Sequence, residues 1–345
     1  MSASVLSHSV AAGRLLRARR RRNIILLLVL LLACGFALTL MLGQSFTPPG
    51  DVLRVLLGQE VQGASFTIGQ LRLPRAVMSI LVGISFGLGG VAFQIMLRNP
   101  LASPDIIGVS SGASAAAVFG IVVLSLDGLA VSVFAVLAGL AVAILVYGLS
   151  FKNGVAGTRL ILVGIGISAM TDSFIAYILS RAASWDLQEA MRWLTGSLNG
   201  VQLSQALPLL VSLMLFGGVL LSRGRDLDAL RMGDDTAAAL GIRVGVTRIL
   251  VIVTAVGMIA VATAAAGPIA FVAFLSGPLA ARMVGPNGSI LLPAALVGAA
   301  LVLIGDYIGQ FALPSRYPVG VVTGALGAPY LIYLIVRVNR AGGSL

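Results

Sequence analysis

The feature that most constrains this chain is the recurrence of apolar runs long enough to cross a lipid bilayer. They fall at approximately residues 24–43, 75–97, 107–125, 128–149, 158–180, 204–222, 247–266, 268–284, 289–311 and 318–338. A helix needs about 20 predominantly apolar residues to span the hydrocarbon layer. The pattern therefore predicts an all-α, polytopic membrane protein with ten transmembrane helices, the eighth interrupted by Gly277-Pro278. With 58% apolar and 10% charged residues among 345, little chain remains for a soluble domain. The sequence reads as a single membrane domain over 1–345, with a basic tail at 1–23 and one long polar connection at 223–247.

The net charge of +11 raises the question of nucleic acid, and the distribution of the charges answers it. With the N-terminus inside, the inner regions collect 17 of the 23 basic residues, including Arg14, Arg17, Arg19 to Arg22, Arg98, Arg223, Arg225, Arg231, Arg243, Arg248 and Arg282. The outer regions keep six: Arg54, Arg72, Arg75, Arg181, Arg192 and Arg316. This is the positive-inside asymmetry of a multi-pass protein of the cytoplasmic (inner) membrane with both termini in the cytoplasm, and no nucleic-acid partner is expected.

Several chemistries lack their residues. The single Cys34 excludes an intrachain disulfide and a cysteine-built metal site, and His8, the one histidine, lies in the polar tail. Leu31-Leu32-Ala33-Cys34 has the look of a lipoprotein cleavage site, yet the apolar run continues to Leu42, long enough to be kept as a membrane span. Residues 164–169 match a dinucleotide fingerprint only superficially, inside a hydrophobic segment with no preceding strand. No phosphate-cradling loop ending in Gly-Lys-Ser/Thr is present, so ATP and Mg, if they drive this protein, must be bound by another subunit. No catalytic, cofactor or metal residue is assigned, and the chain is not expected to be an enzyme.

Candidate functional positions are few. Asp172 and Asp306 are the two acids at clear membrane depth, and neither has a basic partner one turn away. They are either parts of a proton relay or structural groups facing water or neighbouring helices, the latter being favoured. In the 223–247 connection, Gly233, Asp234, Asp235, Thr236, Ala239, Leu240 and Gly241 outline a short helix: Asp234 and Thr236 at its start, alanines in its body, Gly241 at its end. It is either a docking surface for a cytoplasmic partner or a solvated connector. Arg72-Leu73-Pro74-Arg75 stands just before the second helix, where the arginines could meet carboxylates or anchor in headgroups. Breaks at Asn99-Pro100-Leu101-Ala102-Ser103-Pro104, Gly267-Pro268 and Gly277-Pro278 suit a protein with a water-lined path. Gly83, Gly87 and Gly90, at near four-residue spacing, indicate close helix packing.

Several of these segments together resemble the iron-siderophore and vitamin B12 permeases of ATP-binding-cassette (ABC) importers. The matching stretches are Arg72-Leu73-Pro74-Arg75; Arg98-Asn99-Pro100-Leu101-Ala102-Ser103-Pro104-Asp105 with residues 108–113; Trp193-Leu194-Thr195-Gly196-Ser197-Leu198; residues 233–241; Gly267-Pro268-Ile269-Ala270-Phe271; and residues 318–329. They cover roughly residues 70–335 in the family's order, and Asn199-Gly200 with Gly233-Asp234-Asp235-Thr236 look closest to permeases for ferric enterobactin and related siderophores. The resemblance implies a type II ABC importer permease working by alternating access. Its partners would be a second permease (a heterodimer is favoured), two cytoplasmic ATPase subunits, an extracytoplasmic siderophore-binding protein and the ferric siderophore. By position, Arg72, Arg75 and Arg316 would receive carboxylates of the binding protein, and residues 233–241 would form the coupling helix in the ATPase groove. Asn99, Leu101, Gly157 and Thr158 would form the cytoplasmic gate.

Two departures from the family pattern stand out. Leu279 follows Pro278 where relatives commonly have histidine, although Arg282 remains, and the later Asp-x-x-x-Arg pattern becomes Asp306 to Gln310, which weakens the expectation of an ion pair there. The alternatives are a vitamin B12 or haem permease of the same architecture, an ion-coupled secondary transporter using Asp172 or Asp306, and a membrane enzyme or scaffold.

Overall fold

The computed structural model describes residues 3–104, 108–150, 157–285 and 288–340. It is built from α-helices. These are α1 (Ala3–Met41), α2 (Pro49–Leu56), α3 (Thr67–Leu97), α4 (Val109–Val122), α5 (Gly128–Ser150), α6 (Gly157–Leu179), α7 (Ser184–Leu194), α8 (Leu203–Ser222), α9 (Gly224–Leu230), α10 (Asp234–Ala239), α11 (Val244–Ala266), α12 (Val272–Val284), α13 (Leu291–Ala312) and α14 (Val319–Arg340). Among the described residues, seven helices are long and apolar enough to cross a membrane: α1, α3, α5, α6, α8, α11 and α13. Three shorter apolar helices, α4, α12 and the Val319–Leu334 part of α14, coincide with the remaining expected segments.

The boundaries differ from expectation where backbone chemistry intervenes. Helix α1 begins far inside the basic tail, because an arginine-rich stretch with good helix formers simply prolongs the apolar helix behind it. Helix α3 starts at Thr67 instead of near 75, opening on a wide turn in which the Leu73 N–H reaches back five residues to the Ile68 carbonyl. Arg72 and Arg75 thus lie within the helix, not ahead of it. Helix α12 starts only at Val272, after Gly267-Pro268 has ended α11 and Phe271 has taken a left-handed conformation (φ 64°).

Helix α3 is the axis of the bundle. It packs most extensively on α13, then on α11 and α12, while α4, α5 and α6 form a second group joined to the first through α5 and α11. The contact with α13 is made by backbone. A Cβ on Gly83 would meet the Gly298 carbonyl and Ala299, one on Gly87 the Ala294 carbonyl, and one on Gly298 the Gly83 carbonyl. A Cβ on Gly90 would strike the Ala273 carbonyl of α12. In lipid the hydrophobic effect does not hold helices together, so close van der Waals contact between small residues must do so.

Replacing Gly87 or Gly298 by Val should therefore lower the thermal unfolding temperature of the purified protein, by the equivalent of about 1–3 kcal/mol or more, since the obstructing atoms are backbone and cannot rotate away. Gly148→Ala, on α5 where an added Cβ would meet nothing within 4 Å, should not lower it. Equal melting temperatures for all three variants would contradict the close-approach account.

Candidate functional site: junctions at the two ends of the bundle

At one end of the bundle, Arg72, Arg75 and Arg316 share a polar cavity of about 330 Å³ with Gln44, Asn199, Asp306 and Gln310. Their environments are unlike. Arg72 is 8% exposed and faces the end of α1, where the last carbonyls have no helical partner. Its Nη1 donates to the Leu40 carbonyl at 2.8 Å, the Met41 carbonyl at 3.1 Å and Thr47 Oγ1 at 3.2 Å. Its Nη2 donates to the Ser45 carbonyl at 2.7 Å. A Cβ on Gly43 would sit 2.7 Å from Nη2, so that glycine makes room for the guanidinium. Arg72 is a cap on a helix C-terminus, where a cation is favoured.

Arg75 forms a bidentate pair with Asp306, Nε to Oδ2 at 2.5 Å and Nη2 to Oδ1 at 2.8 Å. The Gln310 amide, oriented with its oxygen toward the guanidinium, accepts from Arg75 as well, and Asn199 Oδ1 lies 3.5 Å from Nη1. The Asp306 side chain is 4% exposed and the Arg75 side chain 14%. These geometries bear on three expectations. Arg72 and Arg75 are committed within the chain instead of standing open to a partner. Asp306 has a basic partner, supplied 231 residues away. Gln310, in place of the family's arginine, still joins the ion pair, as an acceptor. Arg316 alone of the three arginines is exposed. Asp172 is also exposed, in the second half of α6 beside Met170, Phe174 and Tyr177, so that face of α6 has no cover among the described residues.

At the opposite, more basic end, Gly233 (φ 111°) turns the chain into α10, and Gly241 (φ 85°) ends it. Both backbone angles suit glycine and would strain other residues. Ala237 is buried against the bundle while Met232 and Leu240 project into the open. Asp234, the first residue of α10, accepts from Arg248 Nη2 at 2.8 and 3.0 Å and lies 3.8 Å from Arg98 Nη2. Arg98 closes α3 in a left-handed conformation (φ 51°), directly before the Asn99-Pro100-Leu101 break. Asn99 Oδ1 accepts the Leu101 N–H at 2.8 Å, an Asx-type turn that shapes the loop. Gly157 and Thr158 open α6, but the surroundings of both, like all of Asp105, lie outside what the structure describes.

The remaining family-like segments meet in the interior. Ser197 N–H donates to the Ala266 carbonyl at 2.8 Å and Gly320 N–H to the Gly196 carbonyl at 3.1 Å. A Cβ on Gly196 would strike the Pro268 carbonyl, one on Gly320 the Thr195 carbonyl, and one on Gly327 the Phe271 ring. Segments around 193–198, 267–271 and 318–329, far apart in sequence, are thus one three-way junction. Sequence reasoning missed Gln94, which is 6% exposed on α3. Its Nε2 donates to the Pro100 carbonyl at 3.0 Å and the Phe274 carbonyl at 2.9 Å. The available signal was the one amide within the apolar run 75–97 together with a proline inside another apolar run.

Interrupted helices, a Gly-mediated core and polar junctions at both ends are the features of a membrane transport permease. The chain belongs to the FecCD transport family, whose profile matches residues 27–337. It is 38% identical over 294 residues to the ferric enterobactin transport system permease protein FepG of Escherichia coli (strain K12), covering 84% of this chain and 88% of that protein. It is 34% identical to the iron(3+)-hydroxamate import system permease protein FhuG of Bacillus subtilis (strain 168), covering 88% and 94%. Among solved structures, the inward-facing conformation of a metal-chelate type ABC transporter superimposes with a TM-score of 0.82 at 28% identity, over 92% of this chain and 99% of that one.

Breaking the Arg75–Asp306 pair should be costly, because each partner would leave a buried charge behind. Arg75→Met and Asp306→Leu are each expected to destabilise the purified protein by about 3–5 kcal/mol, and the double variant by clearly less than their sum. Additive losses in thermal unfolding would show that the two groups do not interact.

Proposed function

We propose that this chain is the permease subunit of an ABC importer that carries ferric siderophores across the cytoplasmic membrane by alternating access, crossing it ten times with both termini in the cytoplasm. The observation that carries the mechanism is the chain of contacts from the exposed short helix α10, through Asp234, to Arg98 and the Asn99-Pro100-Leu101 break. A cytoplasmic ATPase that moves α10 has a direct route to the backbone that would close the path. The relatives named for ferric enterobactin and ferric hydroxamate support the cargo class.

Two ATPase subunits would bind ATP and Mg, and their nucleotide-dependent states would favour one or other arrangement of the permease. A second, non-identical permease would face α6. An acid such as Asp172 is too costly to hold against lipid, so the exposed face of α6 is best suited to a water-filled path shared with that partner. An extracytoplasmic binding protein would dock at the Arg316 end, with Arg72 and Arg75 supporting the surface from within. Asp306, already paired with Arg75, is poorly suited to a proton relay.

Purified complex in liposomes tests this reading. Uptake of ferric catecholate should persist after ion gradients are collapsed and stop when ATP hydrolysis in the partner is blocked; uptake that follows the gradient would overturn it. Asp234→Ala and Leu240→Ala should lower uptake per ATP hydrolysed several-fold. Arg316→Glu should weaken binding-protein affinity most at low ionic strength, where charge steering is least screened.

A further inference from the structure

Helix α12 contains Pro278, which has no N–H to give to the carbonyl of Phe274 four residues earlier. At membrane depth an orphaned carbonyl has no water to turn to. The donor comes from another helix, as Gln94 Nε2 lies 2.9 Å from the Phe274 oxygen. The same nitrogen lies 3.0 Å from the Pro100 carbonyl in the loop that follows α3. Both hydrogens of one amide are thus divided between a kinked helix and the proposed gate loop. Gly277 permits this, because a Cβ there would overlap Gln94 Oε1.

We propose that Gln94 is a positioning residue, the joint that makes the 99–101 loop and the kinked helix α12 move as one body. The proposal rests on reading that loop as the gate, and it assigns a role that carbonyl satisfaction alone does not require. A donor to Phe274 alone would repair the helix, whereas this amide also holds Pro100, one residue beyond the Asn99 turn. Arg98, four residues along from Gln94, carries the contact to Asp234, so motion of α10 would reach α12 through a rigid amide and not through a flexible loop.

The test separates repair from coupling. In the assembled transporter, Gln94→Leu removes both donated bonds. Pro278→Ala returns an N–H to Phe274, so in the Q94L/P278A double variant the carbonyl is satisfied but the loop stays detached from α12. We expect Q94L to lower both melting temperature and uptake per ATP, the latter about ten-fold. Q94L/P278A should recover the melting temperature but not the uptake ratio. Recovery of both would reduce Gln94 to a structural filler, and normal coupling in Q94L would equally overturn the proposal.

A cargo-independent readout guards against failure of the transport reading itself. Spin labels at Leu101 and Met283 in a Cys34→Ser background should give one narrow distance distribution with Gln94 and a broad one in Q94L/P278A. Identical distributions would refute the joint even if uptake were lost, and distinct ones would sustain it even if the cargo were something other than a ferric siderophore.

Discussion

In a lipid layer every backbone carbonyl must find its donor within the protein, and the organisation of this chain follows from how it meets that requirement at its broken helices. Pro268 cannot bond the Ala264 carbonyl, and Ser132 Oγ from α5 does so at 2.8 Å. Pro278 cannot bond Phe274, and Gln94 from α3 does so. The Ala266 carbonyl at the end of α11 takes the Ser197 N–H, and the end of α1 takes Arg72. Each break is therefore also a crosslink between segments remote in sequence. A kink in such a protein is a place where one helix is fastened to another.

Fastening of this kind demands close approach, which explains where the glycines fall. Gly196, Gly320 and Gly327 each face backbone or a ring that a side chain would overlap. Gly83 and Gly87 do the same for the α3–α13 contact. The three-way junction of 193–198, 267–271 and 318–329 ties α7, α11, α12 and α14 together at backbone distance. A rigid junction results there, and change of conformation is left to the exposed face of α6 and to the other end of the bundle, where α10, the 99–101 loop and the kinked part of α12 lie.

Much of this was legible in the sequence, because the apolar runs report the solvent and the Gly and Pro positions report the breaks. The outline of α10 also followed from local chemistry, since Asp, Ala and Gly each have positional meaning within a single helix turn. What was not legible has a common cause. Arg75 and Asp306 belong to helices 231 residues apart, and reading Asp306 for a partner one turn away, or at the position now held by Gln310, sought a local answer to a tertiary question. The intrachain role of Arg72 was hidden for the same reason: its acceptors lie at the end of α1, and an arginine beside a proline looks equally suited to a partner protein. Gln94 left no periodic signal, because an amide within an apolar run matches no motif until its proline-orphaned acceptor is known.

The two kinds of ion pair in the molecule differ in what they permit. Arg75–Asp306 is bidentate and nearly inaccessible, and separating it would expose two charges to a low-dielectric interior at a cost of about 3–5 kcal/mol. Such a pair is suited to hold one end of the bundle fixed. Arg98–Asp234 is 3.8 Å long with its side chains about 47% and 38% exposed, and a solvated contact of that kind contributes about 0–1 kcal/mol. It can lengthen or shorten at little cost as α10 moves, while Arg248, at 2.8 Å, keeps Asp234 beside Arg98 so that the link persists. Magnitude thus assigns the roles: the buried pair fixes one end of the bundle, and the weak contact at the other end, beside the loop that would gate the path, is the one suited to change.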